Sequence, residues 1–212
     1  MQKGQCLREI EELKKYPFID FVTFKNIFKD TKYIKDKIKY MKKKSLLLSL
    51  KKGFYIYANK SYSKEIIANH LYAPSYISFE YALWFYSLIP EKIERVTSAT
   101  TKRKKIFKTP IGEFVYKHID KKLFSLGVEI YSVKEGNFLI ASKEKALCDT
   151  LFLLKGTRIS SKKEMIEFLE EDLRFDIGEL EDFDIEIVKK YYELSKSVRI
   201  LQLLKVIDDF NK

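Results

Sequence analysis

Three short stretches of helical apolar spacing followed by a tight β-hairpin, all inside the first 58 residues, restrict most strongly how this chain folds. Leu7, Ile10 and Leu13 recur among Arg8, Glu9, Glu11, Glu12 and Lys14, so the spacing predicts an amphipathic helix that closes at Lys15 or Tyr16, ahead of Pro17. Thr23 is a candidate N-cap for a second helix of about two turns that places Phe24, Ile27 and Phe28 on one face. Asp30 or Thr31 offers the cap of a third, in which Ile34, Ile38 and Met41 form the apolar stripe of a helix running to about Lys44. Leu46 to Leu50 and Phe54 to Tyr57 are β-prone runs on either side of Lys51, Lys52 and Gly53, where glycine supplies the positive φ of a three-residue turn. This order predicts a winged helix-turn-helix over residues 1–58, with the third helix as recognition helix and the hairpin as wing.

The charge of the chain is concentrated in the same unit. Residues 1–60 hold 15 lysines and one arginine against six acids, whereas residues 61–212 hold 25 basic and 24 acidic side chains. Cations gathered near phosphates release condensed counterions, so this distribution points to a polyanion, double-stranded DNA, as partner of the N-terminal unit. A solvated lysine-rich face and a winged-helix protein-interaction module are the competing readings. Lys32, Lys35, Asp36, Lys39, Lys42 and Lys43, joined by Tyr33 and Tyr40, project from the third helix away from its apolar stripe, and Lys51 and Lys52 occupy the wing tip. Lysine positions a protein on phosphates, whereas base reading draws on Arg, Asn, Gln, Ser or Thr. Strong salt dependence and modest specificity per subunit follow, with sequence choice resting on Thr31, Tyr33, Lys35, Asp36 and the pairing of two binding units.

Residues 62–212 read as a second unit. A helix starting at Tyr62 or Ser63 runs through Ile66, Ile67 and His70, and Ala73-Pro74-Ser75 reads as a turn. Ser78 is the candidate N-cap of an almost wholly apolar, buried helix containing Tyr81, Leu83, Trp84, Phe85 and Leu88. The periodicity then changes to strands over Val96–Thr101, Lys105–Thr109, Glu113–Ile119, Val128–Val133 and Phe138–Ile140, separated by Gly112, Gly127 and Gly136. Lys102, Arg103, Lys104 and Lys105 form the basic tip of a hairpin there, a second candidate surface for a polyanion or partner that competes with a charged, aggregation-resistant edge. Ser142 caps a helix whose Lys145 and Asp149 stand at ion-pair spacing, and Lys162–Leu173, Ile185–Leu194 and Val198–Phe210 are further amphipathic helices. From Glu164 to Glu186, eleven acids face Arg174 alone.

Little in the sequence speaks for catalysis. His70 and His118 fit no metal-ligand spacing and no nucleophile-base set, and the phosphate-cradling glycine patterns are absent, so neither metal nor cofactor is expected and the chain is read as a non-enzyme. Glu113, Glu144 and Asp149 stay open as carboxylates that meet in space, although a helix-face salt bridge accounts for Glu144 and Asp149 more simply. Cys6 and Cys148, far apart and outside any CxxC, fit a reducing compartment, and no apolar run approaches the roughly 20 residues of a membrane span. A cytoplasmic protein without membrane contact is expected.

Beyond the basic unit, the chain carries Ala73-Pro74-Ser75-Tyr76-Ile77-Ser78-Phe79-Glu80-Tyr81-Ala82-Leu83, then Val96-Thr97-Ser98-Ala99-Thr100-Thr101-Lys102-Arg103, then Thr109-Pro110-Ile111-Gly112, then Glu144-Lys145-Ala146-Leu147-Cys148-Asp149. In this order they resemble the AbiEi family, the antitoxin and transcriptional regulator of type IV toxin-antitoxin, or abortive-infection, systems, over roughly residues 5–155. The resemblance implies a winged helix that binds and represses the operon's own promoter. It also implies a C-terminal domain that counteracts a nucleotidyltransferase-like toxin without a stable complex. The DNA role would fall on Lys32, Tyr33, Lys35, Lys39, Lys42, Lys51 and Lys52, and the antitoxin role on the domain holding Arg103 and the Glu144–Asp149 helix.

The expectation is therefore an α+β protein: a winged helix-turn-helix over 1–58, then a mixed α/β domain over 62–212 with an antiparallel or mixed sheet and C-terminal helices. Its expected function is autorepressor and antitoxin. A stand-alone winged-helix regulator and a nucleic-acid-modifying enzyme are the alternatives.

Overall fold

The structure, a computed structural model, describes residues 3–28, 33–58 and 61–210, with side chains from Glu9 onward. The chain is α+β, with a mixed sheet and C-terminal helices.

Helix α1 (Lys3–Lys14) ends where Pro17 cannot continue it, and is followed by a two-residue strand, β1 (Ile19–Asp20). Helix α2 (Phe21–Phe28) begins two residues before Thr23, the cap expected from sequence. The capping oxygen belongs to Asp20, whose Oδ1 accepts the Thr23 backbone N–H at 2.7 Å. Helix α3 (Ile34–Lys43) follows with Tyr33 in the cap position; Asp30 and Thr31 lie outside the described residues. Its stripe of Ile34, Ile38 and Met41 is buried, as the spacing predicts. Strands β2 (Leu47–Lys51) and β3 (Phe54–Tyr57) form the hairpin, with Gly53 at φ +77°. Lys51 itself pairs with Phe54, so the turn proper is Lys52-Gly53, and the residue left over is absorbed by a register irregularity between Ser49 and Lys51. Strand β1 adds to the other side of β3, giving the antiparallel order β1-β3-β2.

Alternation along β3 divides two cores. Tyr57, with Tyr55 partly buried beside it, joins Leu13, Ile19, Phe24, Phe28, Ile34, Ile38, Met41 and Leu47, the core of the N-terminal unit. Phe54 and Ile56 point the other way, and with Leu50 they belong to the large core of the following residues. The hairpin is thus shared between both units.

Helix α4 (Lys64–Leu71) is capped by Ser63, whose Oγ accepts the Ile66 N–H at 3.1 Å. Where sequence suggested a turn at Ala73-Pro74-Ser75, Ser75 already opens β4 (Ser75–Ile77), fully buried in the middle of the sheet. Short polar and β-prone residues flank a proline there, so the turn chemistry masks a three-residue strand. Helix α5 (Phe79–Phe85) and strands β5 (Val96–Thr100), β6 (Lys105–Thr109) and β7 (Gly112–His118) follow, then α6 (Lys121–Phe124), β8 (Val128–Val133) and β9 (Gly136–Ala141). The sheet order is β6-β7-β5-β4-β9-β8. Strand β7 lies between β5 and β6, parallel to β5 and antiparallel to β6, so residues 101–104 are a crossing connection and not the hairpin tip expected from sequence. Helix α7 (Lys143–Leu153), capped by Ser142, packs on α5, and α8 (Lys162–Glu167), α9 (Ile185–Ser195) and α10 (Val198–Phe210) complete the chain. No helix among the described residues is long and apolar enough to cross a membrane.

Candidate nucleic-acid interface

Helix α3 buries one stripe and leaves the rest of its surface to lysine. Lys35, Lys39, Lys42 and Lys43 are exposed, as are Asp36, Tyr33 and Tyr40. Lys35, Lys39 and Lys42 line a recess of about 640 Å³, together with Ile38 beneath them, Phe21 of α2, and Lys52, Gly53 and Tyr55 of the hairpin. Four lysines from two elements thus converge on one concavity, and among the described residues none of the four forms an ion pair. Helical spacing places Lys35, Lys39 and Lys42 along one face; the turn at Gly53 brings the fourth.

Not every lysine of the unit serves this surface. Lys37, on the same helix, reaches Glu9 of α1 at 2.7 Å and lies 3.9 Å over the Phe28 ring, so its charge is spent tying α3 to α1 and α2. Lys51, expected at the wing tip beside Lys52, donates instead to the Leu71 carbonyl oxygen. Its ammonium lies 5.4 Å from the Phe54 ring centre and 5.9 Å from that of Phe107. Burial, with Lys105 and Lys102 nearby, holds its pKa below the usual lysine value. Lys51 is therefore a junction residue, and Tyr33 at the cap of α3 and Asp36 and Lys43 on it stand outside the recess lining. Thr31 and Lys32 lie outside the described residues. Sequence reading missed Phe21 and Tyr55 on the recess wall; the alternation of β3, which sends Tyr55 to the face opposite Phe54, is the signal that locates the latter.

The second basic group divides similarly. Lys102, Arg103 and Lys104 line a cleft of about 1000 Å³ that also takes in Glu80, Lys117, His118, and Leu153 to Lys155 at the end of α7. Lys105 belongs to β6 and points its ammonium over Tyr72 and Phe107, 5.7 and 5.1 Å from their ring centres.

The three carboxylates left open do not meet. Glu113 pairs with Arg95 at 2.8 Å, and Glu144 accepts the Asp184 backbone N–H at 3.1 Å. Asp149 is fully buried and paired with the equally buried Lys145 at 2.5 Å, at the i, i+4 spacing read from the sequence. Three hydroxyls complete its shell: Tyr191 donates to Oδ1 at 2.9 Å, and Tyr76 and Ser78 donate to Oδ2 at 2.9 and 2.8 Å. Ser78 stands at the N-cap of α5, as expected, but its hydroxyl is spent on Asp149 and makes no capping bond. Burial, reinforced by the Asp149 charge, pushes the Tyr76 and Tyr191 hydroxyls up, which keeps both protonated as donors. Burial likewise pushes up the Cys148 thiol. Such a network is built to hold α7, β4 and α9 in register. Among the described residues no group of three His, Cys, Asp or Glu side chains is arranged to hold a metal ion. No family model and no curated protein matches this chain.

Proposed function

We propose that this chain is a winged-helix DNA-binding protein that represses its own promoter and acts as the antitoxin of a type IV system. The observation that carries the DNA half is the recess in which Lys35, Lys39 and Lys42 of α3 meet Lys52 of the hairpin. A helix preceded by two short helices and flanked by a two-stranded turn is the arrangement that lays one helix into a major groove while the turn rests on a neighbouring phosphate. Lysine at all four positions fits phosphate contact and counterion release, so affinity exceeds specificity for a single unit. The antitoxin half rests on the resemblance to the AbiEi family and places its action on the domain that holds Arg103 and α7. The reading assigns the chain no catalytic step.

Replacing Lys35, Lys39 and Lys42 together with alanine is the test. Gel shifts with the DNA upstream of the gene should show binding abolished, while co-expression with a neighbouring nucleotidyltransferase gene should still rescue growth. Wild-type affinity in the triple variant overturns the assignment of α3, and failure of the wild-type chain to rescue growth overturns the antitoxin role.

A further inference from the structure

The geometry points to a second ligand site, independent of the DNA recess: the cleft between residues 101–104, β7 and the end of α7 binds an organic phosphate of nucleotide size. Its volume of about 1000 Å³ lies at the upper end of the small-molecule range. Cations reach it from three separate elements: Arg103 and Lys104 from the crossing connection, Lys117 from β7, and Lys155 after α7. The one acid in the lining, Glu80, is already matched by Lys117 at 2.8 and 3.0 Å. Among the described residues Arg103, Lys104 and Lys155 form no ion pair, so the cleft keeps an uncompensated positive charge that a bound anion relieves.

Arg103 is the most telling of them. The chain has six arginines against 35 lysines. Arg95 and Arg174 pair with Glu113 and Glu91, and Arg199 is spent on the Leu151 and Thr157 carbonyl oxygens. Arg103 has no carboxylate partner among the described residues and lies at the cleft with its planar fork, the geometry suited to a phosphate. Its backbone is held from behind, where the Tyr72 hydroxyl donates to the Arg103 carbonyl at 3.2 Å. Leu153 and Leu154, half-buried, supply an apolar wall for a base or comparable flat group.

Backbone strain precedes Glu80 of the lining. Phe79 is a bulky residue at φ +61°, its ring fully buried, with the Lys117 ammonium 4.3 Å over it. Glu80 follows directly in the chain and holds Lys117 at the cleft, and strain of this kind persists only where the surrounding structure over-determines it. A concavity whose uncompensated cations, Arg103, Lys104 and Lys155, come from two separate segments suits a compact anion better than a duplex, whose phosphates run along an open face.

Calorimetry on the full-length chain tests the assignment with ATP, inorganic pyrophosphate and adenosine as probes. ATP should bind with micromolar affinity, pyrophosphate more weakly, and adenosine without detectable heat. The exposed pair Arg103→Ala and Lys104→Ala should weaken ATP at least about tenfold with an unchanged thermal melt. The Lys35, Lys39 and Lys42 alanine variant should keep wild-type ATP affinity, which separates this site from the DNA recess. No heat with ATP, equal affinity in the Arg103 and Lys104 variant, adenosine binding as tightly as ATP, or loss of ATP binding in the α3 variant would each overturn the proposal.

Discussion

At the scale of single residues, the chain shows lysine used in three different ways. Lys52 is exposed on the recess, Lys37 ties α3 to α1, and Lys145 is fully buried against Asp149. Spacing alone identified the last pair, since i and i+4 on a helix are neighbours wherever the helix lies. It gave no sign that three hydroxyls from β4, the α5 entry and α9 complete the shell, because those partners are 42 to 73 residues away. Removing the carboxylate leaves the Lys145 charge buried and unpaired, so Asp149→Ala should cost about 3–5 kcal/mol in chemical denaturation, with Asp149→Asn costing less. Lys51 and Lys52 separate by the same logic. Lys52→Ala should lower DNA affinity and reduce the slope of log affinity against log salt by about 0.9, whereas Lys51→Met should leave that slope unchanged. Equal slopes for the two variants would contradict the placement of Lys51 at the junction.

At the scale of elements, the longer helices and the seven longer strands were legible because each carries its own period, whereas the four-residue α6 was not. The stripe of α3, the hairpin around Gly53 and the C-terminal helices begin and end within a few residues of their expected limits. What escaped was short: β1 has two residues and β4 three, and no alternation can be read over such lengths. Both are made by pairing with strands distant in sequence, β1 with β3 and β4 with β5 and β9. The crossing of residues 101–104 escaped for a related reason, since sequence cannot tell that β7 inserts between β5 and β6. The cap of α2 shows how an extra strand relocates a helix start. Asp20 closes β1 and caps α2 at once, so Asp20→Ala should destabilise the protein by about 1 kcal/mol and lower its melting temperature, while Thr23→Ala should do so by much less.

At the scale of the whole molecule, the charge map and the packing give complementary views. The lysine excess of the first 60 residues has its exposed focus in the recess between α3 and the hairpin. The recess was half legible in advance: Lys35, Lys39, Lys42 and Lys52 follow from helical spacing and turn position, but Phe21 and Tyr55 required the sheet to be built. The other face of the hairpin was not legible at all. Leu50, Phe54 and Ile56 enter the core of the second unit, and Phe18, stacked on Phe54 at 4.8 Å, meets the His70 ring in a tilted contact at 4.4 Å, so the surface that positions Lys52 is braced by residues far along the chain. The central claim is that α3 and the hairpin turn bind duplex DNA chiefly through phosphate contacts. Its most direct test is the salt dependence of DNA affinity for the wild-type chain and for the three single variants Lys35→Ala, Lys39→Ala and Lys42→Ala. A steep wild-type slope that falls by about 0.9 with each replacement is the predicted result, and a slope that is shallow or indifferent to all three contradicts it.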